Sequence, residues 1–167
     1  MPKPVIIAVD AMGGDNSPNK TICGIKEYLT KKKDVYFRIF GRRKSIENEL
    51  LKHSINKNLF EIINCDDVVE NNDTPLAAAK KKNTSMWQSI NDVKNKKSDV
   101  IVSAGNTGAL FVISKLSINM IENISKPALA ALWPNKIDMN IVLDLGANVE
   151  CDRSEEHTSE LQSPDHL

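Results

Sequence analysis

Four short, nearly continuous apolar runs, each followed by a segment of different periodicity, constrain this chain more than any other feature. They occupy residues 5–9 (VIIAV), 35–40 (VYFRIF), 59–63 (LFEII) and 99–103 (DVIVS). Runs this short and this rich in β-branched and aromatic residues read as strands buried on both faces. Between them, Ile22, Ile25 and Leu29 recur at helical spacing over residues 19–29. Ile46, Leu50 and Leu51 do the same over 45–53, with Ser45 as the expected cap. Pro75 is placed to open a further helix, and Thr84 or Ser85 to begin another that ends near Lys96. Residues 105–108 (GNTG) then turn the fourth strand into a helix of about a dozen residues. Residues 127–133 and 140–145 are two more strand candidates. Strands alternating with helices make an α/β fold: a doubly wound, mostly parallel sheet covered on both faces.

Charge and cysteine content narrow the function. Lys and Arg number 22 against 22 Asp and Glu, so no long-range field gathers nucleic acid. No apolar run approaches the ~18 residues of a membrane span, and the first residues lack the pattern of a signal peptide. Cys23, Cys65 and Cys151 are widely spaced without a CxxC pair, which suits isolated thiols in a reducing compartment rather than disulfides or a metal site. Composition also marks a seam. Lys, Asn and Ile supply 52 of the first 152 residues and none of 153–167. That last stretch, RSEEHTSELQSPDHL, resembles the translation of a sequencing-adaptor oligonucleotide. Residues 1–152 are therefore expected to carry the α/β domain and 153–167 to form a disordered tail outside it.

Three loops follow the carboxyl ends of expected strands, the edge where open parallel sheets bind ligands. In the first, Gly13 and Gly14 allow close backbone approach, and Asp10, Asp15 and Asn16 offer polar groups at its rim. In the second, Ser103, Gly105, Asn106, Thr107 and Gly108 lead into a helix start, whose unpaired N–H groups and positive dipole end suit an anion. The loop fits neither GxGxxG nor GxxxxGK[ST] and has no Lys, so a dinucleotide site and a P-loop are poor matches. The third places Asp144 and Asn148 around Gly146. Each could also be a plain turn; their placement on one edge favours a shared site.

Taken together, AVDAMGGDNSP (8–18), SAGNTGAL (103–110) and VLDLGANVEC (142–151) resemble the bacterial phosphate acyltransferase of phospholipid synthesis. NDTP (72–75) and NTSM (83–86) are similar to weaker signatures of that family. The resemblance implies transfer of a fatty acyl group from acyl carrier protein to inorganic phosphate, giving acyl phosphate without a cofactor or metal. It further implies a Rossmann-like fold related to isocitrate and isopropylmalate dehydrogenases and to phosphotransacetylase. A homodimer, and a cytoplasmic location with peripheral attachment to the inner face of the membrane, are also implied. Asp10, Asp15, Asn16, Asp144 and Asn148 would orient the reactants, while Gly13, Gly14, Ser103, Gly105, Asn106, Thr107 and Gly108 would hold phosphate and the acyl group. The likeness covers only the N-terminal half of that family, so the fold is expected to be truncated, with an open sheet edge and little activity alone. Lys80, Lys81 and Lys82 stand where the family more often has Arg, a weaker grip on an anion. A dehydrogenase-like enzyme and an inactive fragment or binding module remain as alternatives.

Overall fold

A computed structural model describes residues 3–32, 34–124 and 127–143. It divides into two units, Met1–Asn119 and Met120–Leu167. In the first, strands β1 (Val5–Asp10), β2 (Val35–Gly41), β3 (Phe60–Asn64) and β4 (Val100–Ser103) form one sheet of order β3-β2-β1-β4. All of its pairings are parallel. Helices α1 (Asn19–Lys31), α2 (Arg43–Lys52), α3 (Pro75–Lys80), α4 (Ser85–Lys94) and α5 (Thr107–Ser117) complete the unit.

Apolar side chains sort the helices onto two faces. Ile22 and Ile25 of α1, with Ile46 and Leu50 of α2, pack on Val9, Val35, Phe37 and Ile39. On the other face Ala8, Phe40 and Cys65 form one small cluster. Met86, Ile90, Ala109 and Ile113 of α4 and α5 form another with Val69 and Ala78. The chain steps from β1 outward to β3 on the first face, then returns through α4 to the far side of β1. The strand order therefore reverses between β1 and β4, and a crevice opens at such a reversal beyond the strand ends.

A charge inside β2 anchors α4. The Arg38 guanidinium donates from Nε to Asp92 Oδ2 at 2.7 Å and from Nη2 to Oδ1 at 3.0 Å, and also bonds Glu61. Asp92 is buried and takes a further bond from Ser98 Oγ at 2.6 Å. The fork geometry and the extra donor offset the desolvation of both charges.

Two expectations need correction. Ser45 does not cap α2: the helix starts at Arg43 and has no side-chain cap from its flanking residue Arg42. Instead Asn64 Oδ1, at the end of β3, accepts from the Arg43 N–H at 3.0 Å. The strand candidates at 127–133 and 140–145 do not extend the parallel sheet. Within the second unit, β5 (Ala130–Pro134) and β6 (Met139–Leu143) pair with each other antiparallel, Trp133 opposite Asn140. The link is four residues long, 135–138, far short of the roughly dozen residues a parallel crossover needs. Asn135 closes it by accepting from the Ile137 and Asp138 N–H groups. Asp144, Asn148 and the segment 153–167 lie outside the described residues.

Candidate active site

Asp10 and Ser103 end adjacent strands in register with one another. Asp10 is 2% exposed, and its carboxylate is fully engaged. Oδ1 accepts from Ser85 Oγ at 2.6 Å and from the Met12 N–H at 3.3 Å, while Oδ2 accepts from Ser103 Oγ at 2.7 Å. The Gly105 N–H in turn donates to Ser103 Oγ at 3.2 Å. One buried carboxylate thus ties β1, β4, the first turn of α4 and both glycine loops together. Its place is beneath the loops and not at their rim, because hydroxyls from two other elements take the directions that would otherwise face solvent.

The glycines meet each other. A Cβ on Gly13 would lie 2.7 Å from both Asp10 Oδ2 and the Gly105 nitrogen. One on Gly14, whose φ is +83°, would lie 2.6 Å from the Ala104 carbonyl oxygen. The two loops are therefore packed backbone against backbone, which only residues without a side chain allow. A Cβ on Gly105 would come within 2.8 Å of Met86 Cε, so the room at this glycine belongs to the protein's own core.

The start of α5 is built differently. Asn106, Thr107 and Gly108 stay together, but the Asn106 side chain is already occupied. Its Oδ1 accepts from the Ala109 N–H at 3.0 Å as the helix cap, and Nδ2 donates to the carbonyls of Asn71 at 3.3 Å and Asp73 at 3.1 Å. Hence it is a cap and a brace for the 71–75 segment, not a free donor. The Thr107 and Gly108 N–H groups have no acceptor among the described residues. Both stand at the positive end of an eleven-residue helix, where an anion is favoured by aligned peptide dipoles.

Asp15 and Asn16 are exposed on the rim, with Asn16 at φ +58°. Asn71 Nδ2 reaches Asp15 Oδ1 at 3.5 Å, so the 71–75 segment borders both loops. Lys81 holds that segment from below: its ammonium bonds Asp73 at 2.6 and 2.8 Å, and Asp73 also accepts from the Glu70 N–H. The bond to Lys81 first, and that from Glu70 second, hold the Asp73 carboxyl below its ordinary 3.8. Cys65, buried under the sheet, has its thiol pushed up to about 11 by desolvation, which keeps it protonated and unreactive. Ser85 and Met86 are not among the expected site residues. The Thr84 cap of α4, accepting from the Trp87 N–H, and the NTSM string are the signals that point to them.

Residues 5–157 match the family model described as fatty acid synthesis protein. The chain belongs to that family. It is 56% identical over 152 residues to a protein of Pelagibacter ubique named phosphate acyltransferase, covering 90% of this chain and 45% of the relative. Proteins of the same name from Neorickettsia sennetsu and Clostridium acetobutylicum are 43% and 38% identical, each over 88% of this chain and 44% and 45% of their own lengths. The chain thus spans less than half the length of these curated relatives. Within it, the matched region takes in both glycine loops, the Asp10 carboxylate and the start of α5. No helix among the described residues is long and apolar enough to cross a membrane.

Proposed function

We propose that this chain carries the phosphate-holding part of an acyltransferase that moves a fatty acyl group from acyl carrier protein to inorganic phosphate, in the service of phospholipid synthesis. One observation carries the reading: the 13–14 and 103–105 loops meet at the strand-order reversal, beside a helix start with two N–H groups that have no acceptor among the described residues. The name borne by the relatives supplies the acceptor and the group transferred.

In this reaction a phosphate oxygen attacks the thioester carbonyl, the carbon–sulfur bond breaks, and the thiol stays on the carrier. Phosphate is already an anion and a competent nucleophile, so the protein's task is to hold it in line and to stabilise charge on the carbonyl oxygen. The Thr107 and Gly108 N–H groups, with the Thr107 hydroxyl, hold phosphate. Asn106 fixes the turn that presents them. Gly13, Gly14, Ser103 and Gly105 form the floor, and Asp10 positions that floor through its three hydrogen bonds. Asp15 and Asn16 face the reactants from the rim. The intact enzyme in this reading is a cytoplasmic homodimer of the dehydrogenase-like α/β class that touches the inner membrane face peripherally.

Acyl phosphate, trapped as hydroxamate, should form from an acyl carrier protein thioester and phosphate in the intact enzyme. Gly108→Val should raise the phosphate KM at least tenfold, a loss of about 1.4 kcal/mol. Its Cβ would press on Pro75 Cγ at 3.0 Å, so Thr107→Val, at an exposed position, is the companion variant. An unchanged phosphate KM in both folded variants would move the phosphate to the Gly13–Gly14 loop.

A further inference from the structure

The Asn106 side chain has two ways to cap α5. A capping oxygen accepts from the second or the third N–H of its helix, here that of Gly108 or of Ala109. Asn106 Oδ1 takes Ala109, at 3.0 Å. Had it taken Gly108, one of the two N–H groups assigned to phosphate would be consumed inside the protein. The other end of the same amide decides between them. Nδ2 donates to the Asn71 and Asp73 carbonyls at 3.3 and 3.1 Å. An amide group is planar, so a nitrogen fixed between two carbonyls also fixes where the oxygen points. The reverse orientation would set oxygen against those carbonyls and NH₂ against the Ala109 N–H, leaving both sides unsatisfied.

The carbonyls that steer Asn106 are held in turn. Both oxygens of the Asp73 carboxylate accept from the Lys81 ammonium, at 2.8 and 2.6 Å, and Oδ2 also accepts from the Glu70 N–H at 2.9 Å. Lys81 flanks the end of α3, where its carbonyl accepts from the Thr84 N–H and hydroxyl at the start of α4. Its bond to Asp73 therefore ties the segment before α3 to the turn after it. Pro75, between them, lies so near Gly108 that a Cβ there would be 3.0 Å from Pro75 Cγ. With the Lys81 side chain 42% exposed, the ion pair adds little to global stability. Its place in the chain of contacts is what gives it consequence.

Resting on the phosphate reading of the α5 start given above, we propose that Lys81 is a positioning residue. Through Asp73 it latches the 71–75 segment so that Asn106 caps Ala109 and leaves the Gly108 N–H open to phosphate.

Two measurements on the 167-residue chain test the latch: amide hydrogen exchange without ligand, and amide titration with inorganic phosphate. Lys81→Met keeps the apolar stem and loses the charge; Asp73→Ala removes the other partner. In both, exchange at Ala109 should quicken at least tenfold while that at Gly108 slows. Phosphate should bind at least threefold more weakly in both. Lys81→Arg, which can still bond the carboxylate, should restore the parent's behaviour. A purely electrostatic influence on a nearby anion would look different: loss of the lysine would weaken phosphate binding, and loss of the carboxylate would tighten it. Opposite shifts of that kind, or unchanged Ala109 exchange in Lys81→Met, overturn the latch. Should Asp73→Ala fold poorly, the Ala109 and Gly108 exchange rates in Lys81→Met decide alone. Failure of the acyltransferase reading is separate. If exchange and phosphate affinity respond as expected but the intact enzyme forms no acyl phosphate, the latch stands and the reaction does not. If acyl phosphate forms and Lys81→Met leaves both the exchange pattern and the phosphate KM unmoved, the reaction stands and the latch falls.

Discussion

The floor of the site and the start of α5 are neighbours assembled by opposite means. The floor is backbone against backbone, with Gly13 and Gly14 pressed on Ala104 and Gly105 above a buried carboxylate whose hydrogen bonds come from three elements. The start of α5 is held by side chains near the surface: the Asn106 cap, its two bonds to the 71–73 carbonyls, and the Asp73–Lys81 pair. Both oxygens of the Asp10 carboxylate are satisfied within the protein, whereas the α5 start leaves two N–H groups without an acceptor among the described residues. The Gly13 and Gly14 N–H groups likewise have no acceptor among the described residues, but they belong to a loop pressed on Ala104 and Gly105, whereas those of Thr107 and Gly108 stand at the positive end of a helix. The buried carboxylate thus supplies rigidity to the floor, and the helix dipole is what favours an anion at the start of α5.

The largest effect should come from the buried carboxylate. Asp10→Ala removes two hydroxyl bonds to a charge and leaves Ser85 buried without its acceptor. At about 1.5–3 kcal/mol for a hydrogen bond to a charged group, the loss should reach about 3 kcal/mol or more in urea unfolding. A loss under about 1 kcal/mol, less than one such bond, would mean the carboxylate does not hold the loops together. Gly13→Ala comes next: its methyl would meet backbone nitrogen and carboxylate at 2.7 Å, and overpacking of that kind costs about 1–3 kcal/mol. Asn106→Ala removes a helix cap, worth about 1 kcal/mol, and should free the 71–75 segment to faster amide exchange while leaving that of Gly13 unchanged.

The smallest effect is acidic. Asp73 has its carboxyl lowered by Lys81, so the folded state binds its proton less readily than the unfolded chain does. Its stabilisation is therefore present above the ordinary value of 3.8 and is lost as pH falls below that toward the depressed folded value. Asp73→Asn should flatten the acid limb of the stability profile in that window and nowhere above it. An unchanged acid limb would detach the pair from the loop's stability.

Much of this architecture is legible before any coordinates. The four parallel strands are visible as short, continuously apolar runs, although β4 at the sheet edge leaves Val100 and Val102 exposed, and α1 because Ile22, Ile25 and Leu29 keep one stripe. What escapes depends on partners distant in sequence. Asn64 caps α2 from the end of β3, a substitution for Ser45 that no local pattern announces. The 130–143 hairpin is hidden because an apolar run does not reveal which strand it pairs with. Ser85 escapes because its role exists only against Asp10, seventy-five residues earlier. The glycines stand out in the sequence for an incomplete reason: expected to make room for a ligand, Gly13, Gly14 and Gly105 first make room for each other and for Met86.

The most direct test of this division is an amide titration by nuclear magnetic resonance with inorganic phosphate, reading Gly13, Gly14, Gly105, Thr107 and Gly108 in one experiment. Phosphate should shift the Thr107 and Gly108 amides saturably, because their N–H groups stand at the positive end of the α5 dipole. Those of Gly13, Gly14 and Gly105 should move much less. Saturable shifts confined to Gly13 and Gly14, with Thr107 and Gly108 unmoved, would contradict the account and place the anion on the floor instead.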